Sequence, residues 1–136
     1  MLALEIILIM TVKFYKAHTM TDGTIKKSVS VILAHPDDEV LGCGGSIARL
    51  ASEGASIHIL IMATGITSRG EVDPKALDIL KHQSKEAADI LGAVCVEFAD
   101  YPDNAMDTLP MLEVVKTVEG RSEERRVGKE CRSRWS

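Results

Sequence analysis

Three short apolar runs, each followed by a polar loop and a helical pattern, constrain this chain more than any other feature. "SVSVILAH" (28–35), "SIHILIMATG" (56–65) and "VCVEFAD" (94–100) are rich in β-branched residues. Their apolar positions are consecutive rather than alternating, which suits strands buried on both faces. Between the first two, roughly Glu39 to Glu53 carries Val40, Leu41, Ile47, Ala48, Leu50 and Ala51 at helical spacing, with Gly54 as a stop. Asp73 and Pro74 form an N-cap and N1 pair. The helix they open sets Ala76, Leu77, Leu80, Ala87, Ala88 and Leu91 on one stripe and ends at Gly92. Thr108 is placed to cap a last helix bearing Leu109, Leu112, Val115 and Val118. This β-α-β-α-β-α order predicts an α/β fold, a Rossmann-like three-layer sandwich on a parallel sheet, ending after the third β-α unit. Ligands in such sheets sit beyond the carboxyl ends of the strands. All three runs end in polar loops there: "HPDDE", "TGITSRGEVD" and "DYPDNAMD".

The two ends of the chain read differently from this body. "RSEERRVGKECRSRWS" (121–136) has no apolar periodicity and resembles, codon for codon, the translation of a common short-read sequencing adaptor. Setting it aside leaves ten basic and seventeen acidic residues and moves the net charge from −4 to −7. An acidic body gives no basic surface for nucleic acid. "MLALEIILIMTV" at the start is too short to span a bilayer, which needs about 20 apolar residues. It has no basic leader and carries Glu5, so no membrane role follows. Met20 begins "MTDGTIKKSVSVILAH", which reads as a natural start. The expected division is therefore an N-terminal segment of uncertain status (1–27), either an upstream extension or a short helix or strand packed on the domain, the α/β body (28–120) and a non-native tail (121–136). Cys43 and Cys95 form no evident disulfide framework and fit a cytoplasmic protein. With only 4% aromatic residues, aliphatic packing must make the core.

The first polar loop carries the chemistry. A buried run, Val31 to Ala34, stops in His35, a proline, and then Asp37, Asp38 and Glu39 in succession. Three adjacent carboxylates repel one another and resist leaving water, and a bound cation is the simplest compensation. His35 and Asp38, separated by a rigid proline and one residue, can converge on one ion from a strand-to-helix turn. "AHPDDEVLGCGG" resembles the signature of the LmbE/PIG-L family of zinc-dependent N-deacetylases. "ATGITSRG" and "YPDNAMD" resemble that family's next two site loops. The resemblance covers about residues 28–120, the N-terminal half or so of a family member.

It implies a hydrolase that removes an acetyl group from an N-acetylglucosamine-type sugar or glycoconjugate. Zn2+ would be held by His35 and Asp38, with Asp37 as the general base toward zinc-activated water. Glu39 reads as a first-turn acid favoured by the helix dipole. Arg69 is expected at a sugar hydroxyl or a phosphate of the substrate, or else as an exposed loop arginine. Asp103 and Asn104 are expected at sugar hydroxyls, or else as ordinary turn residues. "GCGG" lacks dinucleotide-site spacing and reads as close packing of the helix on the sheet, with Cys43 as a small buried residue. In the family the third zinc ligand is a histidine well downstream, and His18, His58 and His82 are poorly placed for it. The chain is therefore expected to lack a complete zinc site, to be inactive by itself, and to leave a sheet edge uncovered. The partner expected for the parent protein is a small acetylated amino sugar or glycoconjugate, and a homo-oligomer is compatible. The alternative is a Rossmann-like nucleotide- or sugar-binding module without metal catalysis, which a chelator should not affect.

Overall fold

The computed structural model describes residues 11–19, 25–65 and 73–126. In chain order the elements are β1 (Thr11–Thr19), β2 (Ile25–Leu33), α1 (Asp38–Leu41), α2 (Gly44–Ser52), β3 (Ser56–Ala63), α3 (Pro74–Ile90), β4 (Cys95–Tyr101), a 3-10 turn at Met106–Thr108, and α4 (Met111–Arg126). The strands form one sheet in the order β1-β2-β3-β4. β2, β3 and β4 are parallel, with Val31 opposite Ile59 and Ile59 opposite Val96. The expected α/β fold with a parallel sheet is thus present.

β1 comes from the N-terminal segment whose status the sequence leaves open. Residues 11–19 pair antiparallel with β2, from Thr11 opposite Ile32 to Thr19 opposite Ile25. That pairing also starts β2 at Ile25, ahead of the expected Ser28. An antiparallel edge strand on an otherwise parallel sheet is a common way to finish such a sheet.

The core explains why the three central runs are strands. Val29, Val31 and Leu33 of β2, Ile57, Ile59 and Ile61 of β3 and Val96 of β4 pack with Ile47 of α2 and Ala88 of α3. Each of these Val, Leu and Ile side chains removed from water contributes roughly 1.5–3 kcal/mol. Leu60 and Met62 point to the opposite face of β3 and are buried too, so both faces of the sheet are covered. α4 lies against β2 and β1.

The helices follow their local signals unevenly. Asp73 caps α3 as expected, its Oδ1 accepting the Lys75 N–H at 3.0 Å, with Pro74 at the first helical position. The segment expected as one helix from Glu39 to Glu53 is two. Cys43, at φ −147°, breaks it, so the helical phase does not carry across and Val40 and Leu41 face solvent. Thr108 does not cap α4. Its hydroxyl donates to the Ala105 carbonyl at 2.6 Å, and the helix starts at Met111, after Pro110. The inward face of α4 is also rotated from the expected stripe. Leu112 and Val115 are exposed, whereas Val114, Thr117 and Val118 are half-buried. Thr117 Oγ1 lies 2.6 Å from the Tyr101 hydroxyl, tying α4 to the end of β4. Among the described residues no helix is long and apolar enough to cross a membrane.

Candidate functional site

The parallel strands share one direction, so the loops after β2, β3 and β4 all open at one end of the sheet. His35 follows β2 directly, and its backbone N–H donates to Asp38 Oδ2 at 3.0 Å. This bond folds the Asp38 carboxylate back toward the strand end. The ring is also met from the third loop, where His35 Nε2 lies 2.7 Å from Asp103 Oδ1. His35 keeps 40% of its side-chain surface while Asp103 keeps 7%, so the pair sits at the rim of a closed corner. Gly65 approaches from the second loop. At φ 73°, it brings its backbone so close that a Cβ there would lie 3.6 Å from His35 Cδ2.

Asp37 has an unusual backbone. It occupies the N-cap position of α1 at φ 118°, ψ −29°, a left-handed conformation costly for a residue with a Cβ. Its carbonyl accepts the Val40 and Leu41 N–H groups at 3.0 and 2.9 Å, but its carboxylate makes no cap bond to the helix. The exposed carboxylate is therefore not consumed by helix capping.

Glu39 is more than the dipole-favoured acid read from sequence. It does lie in the first turn of α1, yet only 1% of it is exposed. Its Oε2 accepts the Asp37 N–H at 2.9 Å and its Oε1 accepts the Ser84 hydroxyl at 3.1 Å. Ser84, buried in mid-α3, was missed in the sequence because serine inside a helix reads as polar surface. Its signal is positional, since it lies seven residues after Leu77 and four before Ala88 on the inward stripe.

The second and third loops answer the remaining expectations in part. Arg69 lies outside the described residues. Asp103 is brought to His35, and Asn104, exposed at φ 54°, donates from Nδ2 to Asp103 Oδ2 at 3.4 Å. Of the glycines in "GCGG", Gly44 is buried, where a Cβ would lie 3.6 Å from Leu91 Cδ2. Its close neighbours are thus the Glu39 carbonyl oxygen, at 3.5 Å, and the end of α3, and Gly45 is open. Cys43 is buried, and its thiol pKa is raised by that burial, then by the nearby charges of Glu39 and Asp38.

Whether these residues suit a metal depends on donor type and number. An imidazole nitrogen beside a carboxylate is the donor chemistry zinc takes. Among the described residues, however, no group of three His, Cys, Asp or Glu side chains is arranged to hold an ion. The donor types of His35 and Asp38 therefore suit such an ion, and the described residues alone do not complete a set of three.

A parallel sheet bearing an HPDDE turn at the end of its first parallel strand defines a class, the LmbE-like α/β enzymes. The family model described as "PIG-L: GlcNAc-PI de-N-acetylase" matches residues 30–127, and the chain belongs to that family. It is 46% identical over 67 residues to the uncharacterized deacetylase YaiS of Escherichia coli K12, covering 45% of this chain and 36% of YaiS. It is 42% identical over 67 residues to the 1D-myo-inositol 2-acetamido-2-deoxy-alpha-D-glucopyranoside deacetylase of Rhodococcus opacus, covering 49% of this chain and 21% of that enzyme. Among solved structures it resembles GalB, the 4-carboxy-2-hydroxymuconate hydratase of Pseudomonas putida KT2440. The TM-score is 0.59 at 30% identity, over 74% of this chain and 43% of GalB. The matches thus span about a third or less of the two curated relatives and under half of GalB.

Proposed function

We propose that this chain carries the nucleophile-activating half of a zinc-dependent deacetylase for a small acetylated amino sugar or glycoconjugate, working in the cytoplasm. One observation carries the reading. The carboxylate of Asp37 is exposed and uncommitted to its helix, in the turn that also holds His35 and Asp38. Zinc would be held by His35 and Asp38, and bound there it supplies Lewis acidity toward a carbonyl and water. Asp37 accepts the proton of the attacking water at a carboxylate oxygen and returns it to the departing amine nitrogen. Water is thereby added across the amide C–N bond, giving acetate and the free amino sugar. Asp103 Oδ1, beside His35 Nε2, orients the imidazole. Asn104 and Arg69 are the remaining candidates for contact with sugar hydroxyls. The amino-sugar substrate is supported by the Rhodococcus relative, which acts on an acetamido-deoxyglucopyranoside.

The likeness to GalB supports a second reading, hydration of an unsaturated acid. One assay separates the two. The longer parent protein that completes the zinc site is incubated with an N-acetylglucosaminide or with 4-carboxy-2-hydroxymuconate, each with zinc or with chelator, beside Asp37→Asn, and this chain by itself serves as the inactive control. Acetate release that needs zinc and Asp37 is the expected result. Hydration without acetate release would favour the hydratase. Sugar binding that is indifferent to chelator, with no turnover, would return the chain to a binding module.

A further inference from the structure

The HPDDE turn is held by a buried linkage whose role the proposed reaction does not assign. We propose that Glu39, braced by Ser84 of α3, is a positioning residue that fixes the backbone of Asp37, and with it the direction of the Asp37 carboxylate. This inference rests on Asp37 being the general base. Three observations combine. Asp37 holds a left-handed φ of 118°, which a residue with a Cβ adopts only when its surroundings enforce it. The Asp37 N–H is held by Glu39 Oε2 at 2.9 Å, so the strained residue is clamped at its own amide. Glu39 is itself 1% exposed, and Ser84, 4% exposed, anchors its other oxygen at 3.1 Å. A carboxylate is well suited to this task because its two oxygens each accept one bond. The clamp thus joins the catalytic turn to α3, 45 positions away in sequence.

The geometry also says which substitutions the clamp tolerates. In Glu39→Gln the amide oxygen can take the Asp37 N–H, while the amide NH2 donates to Ser84 Oγ, whose hydroxyl turns to accept. Glu39→Leu fills similar volume and accepts nothing. Ser84→Ala leaves Glu39 Oε1 without its brace.

The test is amide hydrogen exchange, followed by NMR, on the full chain and these three variants. The Asp37 amide is expected to be protected in the parent and in Glu39→Gln. In Glu39→Leu its protection falls about tenfold, the scale of one buried hydrogen bond, while the β3 amides of Ile57 to Ile61 stay protected. Ser84→Ala loses a smaller part and serves as the second variant if Glu39→Leu does not fold. Undiminished protection of Asp37 in Glu39→Leu or, failing that variant, in Ser84→Ala would overturn the proposal. So would a Glu39→Gln variant that exchanges as fast as Glu39→Leu. Acetate release is measured alongside on the same substitutions in the longer parent protein, where Glu39→Leu should lower kcat at unchanged KM and Glu39→Gln should restore it. A longer parent protein without turnover sinks the deacetylase reading, yet the exchange result on this chain still judges the clamp.

Discussion

Replacing Asp37 with glycine should stabilise the fold relative to replacing it with alanine, and the difference can be worked from one dihedral angle. At φ 118° the Asp37 backbone lies where a Cβ is penalised, at a cost of about 1–3 kcal/mol. Asp37→Ala keeps that Cβ and that cost. Asp37→Gly removes both, but gives back about 0.5–1 kcal/mol because an unfolded glycine is freer. The net expectation, at the middle of both ranges, is that Asp37→Gly is more stable than Asp37→Ala by about 1.3 kcal/mol. Other terms cancel in this comparison. Both variants lose the same charge beside Asp38 and Glu39, and the native side chain makes no cap bond that either could forfeit. Urea unfolding of the full chain measures the gap directly, and thermal unfolding should show it as about 3–5 °C per kcal/mol for a chain of this size. Both variants should lack the acetate-releasing activity assigned above. An Asp37→Ala variant as stable as Asp37→Gly would refute the reasoning, because the turn would then hold no strain to release.

Other consequences follow from the core and the site. Ile59→Ala, at a side chain 2% exposed between two neighbouring strands, should cost about 2–5 kcal/mol in urea unfolding with little change in the slope. Gly92→Ala meets two obstacles, a φ of 79° and a Cβ placed 2.8 Å from the Ala51 Cβ. It should therefore lower the unfolding midpoint, and adding Ala51→Gly should recover the steric part only. The Cys43 thiol, its pKa raised by burial and by Glu39 and Asp38, should alkylate with iodoacetamide far more slowly folded than in urea at pH 8.5, as peptide mapping would show. Because the folded pKa lies above the unfolded one, its stabilising contribution is complete below the unfolded value. It fades as pH rises through the folded value, so a Cys43→Ala variant should lose less stability in that alkaline range. Zinc titration by calorimetry should show affinity at least about tenfold weaker in Asp38→Ala than in the parent, and equal affinity would remove Asp38 from the metal site.

What could be read from the sequence divides by distance along the chain. The three central strands were legible because burial on both faces writes itself into consecutive apolar residues, as in Ile59 to Ala63. The start of α3 was legible because an Asp-Pro pair settles its own cap within three residues. The turn that holds His35, Asp37 and Asp38 was legible for the same reason, as a motif five residues long. β1 was not, since an edge strand is decided by the partner it finds, here Ile25 to Leu33, and "TVKFYKAHT" alone does not name that partner. The face of α4 was not, because Leu112 and Val115 are as apolar as Val114 and Val118, and packing chose between them. The same division runs through the site. Asp103 reaches His35 across 68 positions and Ser84 reaches Glu39 across 45, and neither contact has a local signature. Yet the need for such contacts was written locally. Three consecutive carboxylates at the end of a buried strand cannot all face water, and one that turns inward must find donors. Glu39 is the one that turns inward, and the donors it found, an amide of its own turn and a serine of α3, free Asp37 to stay outside.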